Sequence, residues 1–315
     1  MNEKEIYYHY SDYLKEKYNT KVYKLPVNLP VGCPNRKDSQ GCIFCAPVGT
    51  GFESLEENIS VKNQLIKNRD YIGKRYKAKK FIAYFQNYTN TYLPFEQFKT
   101  YINEAMEVED IVEISISTRP DCISKKILDF LLEVHNKGYE INIELGLQSV
   151  NYKTLQLINR GHGLGEFISA VLNIKKYPFT ICTHMILNLP YDDITDVIEG
   201  ANVLSSLPVD IIKLHSLYIA KNTILCEQYE NGKIHLCSKD EYINRLGEFL
   251  SRLRPNICIE RLFARAPERD VVFANWNSSW WKLKDEFVSY MCENQLKQGC
   301  NYEILNEKAL KKAGF

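Results

Sequence analysis

The feature that most constrains the fold is a regular alternation of short β-branched or aromatic runs with amphipathic helical stretches. Six runs are predicted strands: Lys21 to Val27, Phe81 to Phe85, Ile111 to Ser117, Ile141 to Ser149, Phe179 to Leu187 and Asp210 to Leu217. A helical pattern follows each strand. This alternation predicts parallel strands joined by right-handed crossovers, and hence an α/β fold built as a partial (β/α)6 TIM-like barrel.

The alternation breaks down after Leu225. We therefore expect residues 1–225 to form the barrel core with its N-terminal segment, and residues 226–315 to form a C-terminal α/β extension packed on the barrel. The extension contains a strand-like run from Ile257 to Phe263 and an aromatic segment from Trp276 to Trp281. We expect it to close the open side of the barrel and to influence substrate choice.

Three cysteines, Cys33, Cys42 and Cys45, lie in one loop directly after the first predicted strand. Structural zinc and ordinary electron-transfer iron–sulfur clusters normally take four protein ligands, so a set of three predicts a metal centre with one open coordination position. Two other interpretations stay open. The Cys-x-x-Cys pair could be a redox dithiol, or a distant residue such as His9 could complete a zinc site.

The residues around these cysteines support a tight, thiolate-binding loop. Gly41 permits the backbone turn that would bring Cys33 near the other two cysteines. Asn35, Arg36 and Lys37 place cations and polar donors beside the sulfurs, and nearby cations favour thiolates. The remaining seven cysteines form no further close pair, so we expect no second cluster.

Polar side chains follow the other predicted strands at the point where each strand ends. Gln86 and Asn87 follow the second strand, Arg119 and Asp121 the third, and Asn188 the fifth. In a parallel barrel these ends meet at one mouth, which is where barrel enzymes carry their chemistry. Amide, guanidinium and carboxylate groups around an open metal suit a polar, zwitterionic cofactor.

The loop sequence Gly-Cys-Pro-Asn-Arg, continued by Gly-Cys-Ile-Phe-Cys, resembles the cluster-binding loop of radical S-adenosylmethionine (SAM) enzymes. It is most similar to the long-spaced form of the Elongator catalytic-subunit-like branch and its YhcC/YtqA-type proteins. The superfamily usually has three residues between the first two cysteines, whereas this chain has eight. The resemblance implies that Cys33, Cys42 and Cys45 hold a [4Fe-4S] cluster whose fourth iron binds SAM.

The resemblance also implies which residues contact the cofactor and the substrate. The implied cofactor-binding residues are Phe44, Gln86, Asn87, Ser117, Arg119, Asp121, Glu144, Gln148, Arg160 and Asn188. Lys213 and His215 match a Lys-x-His pattern at the sixth strand and would face the reaction site as catalytic residues. Simpler roles remain open: Glu144 could pair with Lys213 inside the barrel, Arg160 could end a helix, and His184 could be a hydrogen-bonded core histidine.

The partners follow from charge and from the resemblance. The formal net charge is +1, but the stretch from Lys62 to Lys80 contains eight basic residues and one acid, interleaved with Tyr71 and Tyr76. Such a stretch suits an RNA backbone, although a solvated helix face would look the same. The resemblance implies a tRNA wobble-uridine enzyme that converts 5-carboxymethylaminomethyl-uridine to the aminomethyl form, with flavodoxin or ferredoxin as electron donor.

Two further functions remain possible from the sequence. The first is a radical SAM enzyme acting on a small molecule or a tetrapyrrole, and the second is a zinc-stabilised RNA-binding module. The chain lacks an apolar run long enough to span a membrane and begins with charges where a signal peptide would be apolar. Ten scattered cysteines suit a reducing compartment, so we expect a cytoplasmic protein.

Overall fold

The computed structural model describes residues 5–37, 39–46, 54–265 and 267–312. Its main sheet has seven parallel strands that curl into a half-barrel, in the same order as in the chain. The strands are β1 Val22–Val27, β2 Lys80–Phe85, β3 Ile111–Thr118, β4 Glu140–Gln148, β5 Thr180–Ile186, β6 Ile211–His215 and β8 Cys258–Arg261. The predicted α/β partial-barrel fold is confirmed.

The described residues also form helices, most of which cover the outer face of the sheet. They are α1 Tyr10–Tyr18, α2 Pro34–Lys37, α3 Val61–Tyr76, α4 Phe95–Met106, α5 Lys125–Asn136, α6 Tyr152–Leu157, α7 Leu164–Ile174, α8 Ile194–Ser206, α9 Ile224–Glu230, α10 Lys239–Arg252, α11 Trp280–Glu293 and α12 Lys308–Lys312. Outward-facing strand residues such as Ile114, Ile143 and Leu145 are fully buried beneath this layer. The main hydrophobic core therefore lies between the sheet and its helices, as expected for parallel strands.

The C-terminal extension contributes a strand to the barrel. Strand β8 pairs in parallel with β6, so the sheet has seven strands and not the six that the alternation predicts. The extension also forms a small antiparallel sheet from β7 Ile219–Ala220 and β9 Val271–Phe273. Because β1 and β8 remain the two edges of the main sheet, the expectation that the extension closes the barrel is wrong.

The amino ends of the strands are plugged by helix α1. Tyr10 and Tyr13 of α1 pack against Cys182, Ile211 and Cys258, which point into the barrel. The backbone nitrogen of Ile259 donates to the carbonyl oxygen of Tyr8 at 2.8 Å, which ties the start of the chain to β8. The buried Glu113 at this end accepts from Lys17 and Tyr18 of the same helix, at 3.2 and 2.6 Å. This end of the barrel is therefore filled, and we expect the site at the opposite end.

An irregularity in β8 brings two neighbouring residues into the barrel. Ile212 pairs with Ile259, but the next residue of β6, Lys213, pairs with Arg261, so Glu260 is an extra residue in the ladder. Successive strand residues normally point to opposite faces, and an extra residue re-aims the side chains around it. As a result Glu260 contacts Lys213 while Arg261 contacts His215.

Candidate active site

The three cysteines of the loop line one cavity at the carboxyl ends of the strands. The loop is held by its own backbone: the Arg36 nitrogen donates to the Cys33 carbonyl at 2.9 Å, and the Cys45 nitrogen donates to the Cys42 carbonyl at 3.0 Å. Gly41 has a φ of +80°, and a Cβ there would lie 2.8 Å from Cγ of Arg36. The predicted need for glycine at this turn is confirmed.

Cationic and amide donors surround two of the sulfur atoms. Arg160 Nη1 lies 3.5 Å from Cys42 Sγ, and Asn35 Nδ2 lies 3.6 Å from the same sulfur. Arg119 Nη1 lies 4.0 Å from Cys33 Sγ. Arg119 follows strand β3 and Arg160 follows helix α6, so residues outside the cysteine loop place positive charge beside the sulfurs.

Arg36 supports the backbone of the cysteine loop. Its Nη2 atom donates to the carbonyl oxygens of Cys45 and Ala46 at 2.8 and 2.7 Å, so it braces the loop backbone. Burial raises the pKa of the Cys45 thiol, and the Arg36 charge offsets this only in part. The Arg36 charge thus favours the thiolate of Cys45, as expected, but burial has the larger effect on its pKa.

The spacing of the sulfurs distinguishes between metal sites. Among the described residues, the three sulfurs do not form a group within 4.8 Å of one another. A tetrahedral zinc with Zn–S bonds of about 2.3 Å would need sulfurs about 3.8 Å apart. Three separated sulfurs facing one cavity fit a larger, multi-iron group better. Glu144, Cys182 and His184 do lie within 4.8 Å of one another, but other partners occupy the Glu144 oxygens.

Most of the remaining predicted site residues line the same cavity. They are Phe44, Gln86, Ser117, Arg119, Glu144, Gln148, Arg160, Lys213 and His215. The backbone of Gln148 has a φ of +78° at an irregularity between β4 and β5. Arg160 Nη2 donates to the carbonyl oxygen of Gly146 at 2.7 Å, and a Cβ at position 146 would lie 2.7 Å from the same nitrogen, so a larger residue there would displace the end of the arginine side chain. Because Arg160 braces both the strand and the cysteine loop, it does more than end a helix.

Three predicted cofactor residues lie outside the cavity lining. Asn87 is buried and donates from Nδ2 to Asn28 Oδ1 at 2.6 Å, because it points away from the side that Gln86 faces. Asp121 lies within the 3-10 turn Pro120–Cys122 and accepts from Arg119 at 2.7 Å. Asn188 accepts from the Leu217 nitrogen at 2.7 Å and joins two strand ends. All three residues form hydrogen bonds that position other protein groups around the cavity.

A charged layer forms the floor of the cavity around Glu144, which is fully buried. Its Oε1 accepts from Lys24 at 2.6 Å and from Ser115 at 2.8 Å, and its Oε2 lies 2.7 Å from His184 and 3.3 Å from Lys213. Burial alone would raise the pKa of Glu144, but the two lysines and His184 outweigh it and hold the pKa well below its usual range. The pairing with Lys213 that the sequence left open is present.

Lys213 and His215 are held in place by their neighbours. Lys213 lies 2.9 Å from Glu260 and 3.0 Å from the Tyr84 hydroxyl. Although burial alone would lower the pKa of Lys213, the carboxylates of Glu144 and Glu260 raise it above its usual value, so the ammonium stays charged. Burial and the Arg261 charge hold the pKa of His215 well below its usual value, so its ring is neutral.

The basic stretch from Lys62 to Lys80 lies on α3 and the loop that follows it. Lys67, Lys74 and Lys77 are exposed, and Tyr71 is 61% exposed. Helix α3 runs from the carboxyl end of β1 back to the amino end of β2, so the lysines after residue 73 lie at the end of the barrel opposite the cavity. The stretch is a charged side surface and not the cavity rim.

The cavity also contains residues that the sequence analysis did not assign to a site. They are Tyr84, Tyr88, Thr89, Thr118, His184, Arg261, Ala264 and Arg265, together with Gly146. Tyr84 precedes Gln86 by two residues, so strand alternation would have placed both on one face. Arg261 and Arg265 could be placed in the cavity only if Cys258–Arg261 were recognised as a seventh strand of the sheet.

Comparisons with known proteins agree with this geometry. The Radical SAM superfamily profile matches residues 27–203, and the Radical_SAM C-terminal domain profile matches residues 209–293. The chain is 31% identical to the uncharacterized protein YtqA of Bacillus subtilis, over 98% of this chain and 96% of YtqA. It is 25% identical to a tRNA uridine(34) acetyltransferase of Methanocaldococcus infernus, over 42% of this chain and 24% of that protein.

The fold is also similar to a solved structure, that of Elp3 from Methanocaldococcus infernus with an N-terminal deletion. The TM-score is 0.69 at 17% sequence identity, over 89% of this chain but only 64% of the Elp3 chain. Among the described residues of the present chain, no helix is both long and apolar enough to cross a bilayer. The cofactors that the sequence implies, a [4Fe-4S] cluster and SAM, are those of the matched superfamily. By its sequence and its fold, the chain belongs to the radical SAM superfamily.

Proposed function

We propose that this protein is a radical SAM enzyme that modifies the wobble uridine of tRNA, converting 5-carboxymethylaminomethyl-uridine to 5-aminomethyl-uridine. The observation that carries the proposal is the cavity in which three cysteines of one loop face polar side chains from the other strand ends. The substrate class is supported by the relationship to the tRNA uridine(34) acetyltransferase. The overall similarity to Elp3 agrees with this substrate class.

In this proposal Cys33, Cys42 and Cys45 hold the cluster, and SAM binds at the iron that no cysteine occupies. When bound, this pair of cofactors supplies a 5′-deoxyadenosyl radical, formed with one electron from a flavodoxin or ferredoxin, which removes a hydrogen atom from the substrate. Arg160 and Asn35 donate to the Cys42 sulfur, which stabilises the negative charge of the thiolate. Gln86 and Gln148 offer amide groups to the polar parts of SAM.

The other cavity residues orient groups and exclude water. Tyr84 accepts from both Lys213 and Ser117, at 3.0 and 3.2 Å, and so joins the charged floor to the cofactor side. We assign Lys213 and His215 to the substrate side of the cavity, as the sequence predicts. Because Lys213 is fixed by two carboxylates, its proposed role is to supply a constant positive charge and not to exchange a proton.

A tRNA partner would contact the mouth of the cavity and the basic stretch on α3. A uridine flipped out of the anticodon loop could enter the mouth, since enzymes that act on a base take it out of the stack. The basic stretch could contact phosphates only if the RNA extends along the side of the barrel, because α3 with its 16 residues is about 24 Å long. Binding by this surface would weaken with salt.

The decisive experiment is mass spectrometry of tRNA nucleosides from a strain that lacks the gene. We expect 5-carboxymethylaminomethyl-uridine to accumulate and 5-aminomethyl-uridine to disappear. Complementation with Cys42→Ala should not reverse the change, whereas Cys300→Ala, at an exposed cysteine outside the cavity, should reverse it. An unchanged nucleoside profile in the deletion strain would refute the tRNA substrate.

The two alternatives predict different measurements. A small-molecule or tetrapyrrole enzyme would contain the cluster and cleave SAM but would show no salt-dependent binding of tRNA. A zinc-stabilised RNA-binding module would contain one zinc and no iron after anaerobic reconstitution. The separation of the three sulfurs counts against the zinc site.

A further inference from the structure

Two arginines at the seventh strand lack an acidic partner. Arg261 ends β8, Arg265 follows four residues later, and both line the cavity. Among the described residues, no carboxylate lies within ion-pair distance of either guanidinium. Arg261 makes its hydrogen bonds to the His215 ring alone, with Nη2 at 3.2 Å from Nε2. Its buried Nε atom has no hydrogen-bond partner in the part of the chain that the structure describes.

The other cations of the cavity lining have partners. Arg119 pairs with Asp121, Lys213 pairs with Glu144 and Glu260, and Arg160 donates to Gly146 and Cys42. Arg36 donates to two backbone carbonyl oxygens. Within the described chain Arg36 and Arg160 have no carboxylate partner either, but backbone carbonyl oxygens accept from both. Among the described residues, Arg261 and Arg265 are therefore the lining arginines whose guanidinium groups donate to neither a carboxylate nor a carbonyl oxygen.

The two arginines also lie close enough to repel one another. Burial lowers the pKa of Arg261, and the neighbouring Arg265 charge lowers it further, although Tyr84 and Glu260 act in the opposite direction. His215 cannot offset the repulsion, because its ring is neutral. An uncompensated buried charge is costly, so an anion between the arginines would remove both the repulsion and the missing hydrogen bond.

The surroundings of this pair indicate where the anion would come from. Cys45, Tyr218 and Arg261 all line the cavity, so the cysteine loop and the arginine border one shared space. Arg265 stacks on the Trp280 ring at 4.3 Å, which keeps its guanidinium at the edge of that space. RNA phosphates would stay outside the barrel, whereas a substituent on an inserted base would reach Arg261.

We propose that Arg261 and Arg265 form an anion subsite that binds a carboxylate on the substrate's reacting side chain. This inference rests on the proposed function, in which the uridine substituent ends in a carboxylate. Arg261 would donate from its free Nε and one Nη to the two carboxylate oxygens, and Arg265 would close the subsite from the rim. A bidentate pair of this kind selects a planar carboxylate over a neutral group of the same shape.

The test compares two RNAs on the reconstituted protein under anaerobic conditions. One is an anticodon stem-loop with 5-carboxymethylaminomethyl-uridine, and the other has the carboxylate replaced by its primary carboxamide. We expect the protein to bind the carboxylate form about tenfold or more tightly. Arg261→Gln and Arg265→Gln should abolish this preference and leave carboxamide binding within about twofold. Lys176→Gln, at an exposed lysine after α7 and outside both the cavity and the basic stretch, should keep it.

Several results would overturn the subsite. If the preference persists in both variants, the arginines do not read the carboxylate. If both RNAs weaken equally in the variants, the arginines bind phosphate. If SAM binding, measured by equilibrium dialysis, weakens about tenfold in Arg261→Gln, the anion is the carboxylate of SAM. Arg265→Gln keeps the test valid if Arg261→Gln misfolds, because the Arg265 side chain is exposed and its replacement leaves no buried cavity.

The subsite and the tRNA function can fail separately. If the protein binds neither RNA, the tRNA proposal fails, and the same comparison is made with the free carboxymethylaminomethyl-uridine nucleoside and its carboxamide. Trp280 next to Arg265 provides a fluorescence signal for this titration. A preference for the free carboxylate that Arg261→Gln removes would support the subsite without tRNA, and equal binding of the two nucleosides would refute it.

Discussion

Glu144→Gln tests whether the charged floor of the cavity is a stabilising unit. Glu144 and Glu260 together balance Lys24 and Lys213 in the buried interior, through contacts of 2.6 to 3.3 Å. Glutamine has nearly the same shape, but it leaves two ammonium groups with one carboxylate. Removing one partner of a buried ion pair costs about 3–5 kcal/mol. With about 2.1 cal/mol/K of unfolding entropy per residue, this chain should lose about 5–8 °C in Tm.

The assay is thermal unfolding, followed by circular dichroism, of wild-type and variant proteins matched for iron content. The double variant Glu144→Gln/Lys213→Met restores the charge balance and should recover at least half of the lost stability. The pKa of Glu144 is depressed in the folded state, so its contribution is complete above its ordinary pKa of about 4.3 and is lost as the pH falls below it. A single variant that melts within 1 °C of wild type at pH 7 would refute the reasoning.

Three further substitutions test the loop, a buried acid and a supporting amide. Gly146→Ala would place a Cβ 2.7 Å from Arg160 Nη2 and push this arginine off the cysteine loop, so iron retained after desalting should fall by about half or more. Burial raises the pKa of Asp192 to about 6, so Asp192→Asn should stabilise the protein by up to about 3 kcal/mol in urea unfolding above pH 6, with no gain below about pH 4. Asn188→Ala removes the acceptor of the Leu217 nitrogen and should cost about 1–3 kcal/mol in the same assay, while SAM affinity by equilibrium dialysis changes less than twofold.

Each of these three has a result that would contradict it. Gly165→Ala is the control for the first, since a Cβ there meets nothing within 4 Å, and equal iron loss in both variants would remove the role of Arg160. A pH-independent gain in the Asp192 variant would show that the buried charge is not the cause. A loss of SAM affinity in the Asn188 variant would indicate that Asn188 contacts the cofactor and would contradict its purely structural role.

The strand alternation was sufficient to predict the first six strands, because each is a compact apolar run followed by a periodic helix. The seventh strand is only four residues long, and helices α9 and α10 separate it from β6, so no local pattern joins it to the sheet. Its pairing depends on contacts distant in sequence. The residues that it brings to the cavity, Arg261 and Arg265, were missed for the same reason.

Position along a strand predicts only some of the residues that line the cavity. The polar residues at the strand ends do meet in one cavity, as parallel topology requires. Of the neighbours Gln86 and Asn87, however, only Gln86 lines the cavity, whereas Asn87 donates to Asn28 Oδ1 at 2.6 Å. The buried contacts of Glu144 could not be predicted either, since they depend on the register of strands that are 120 and 69 residues away in the chain.

The irregularity in β8 has a consequence for how this protein can evolve. Two adjacent positions serve different requirements: Glu260 neutralises the lysines inside the barrel, and Arg261 points to the space where a ligand would lie. A substitution of Arg261 that changes which ligand binds therefore risks shifting the irregular segment that positions Glu260. Such a shift would leave the buried lysines without their carboxylate and would destabilise the fold. New specificities should arise more readily at Arg265, where the chain has already left the sheet.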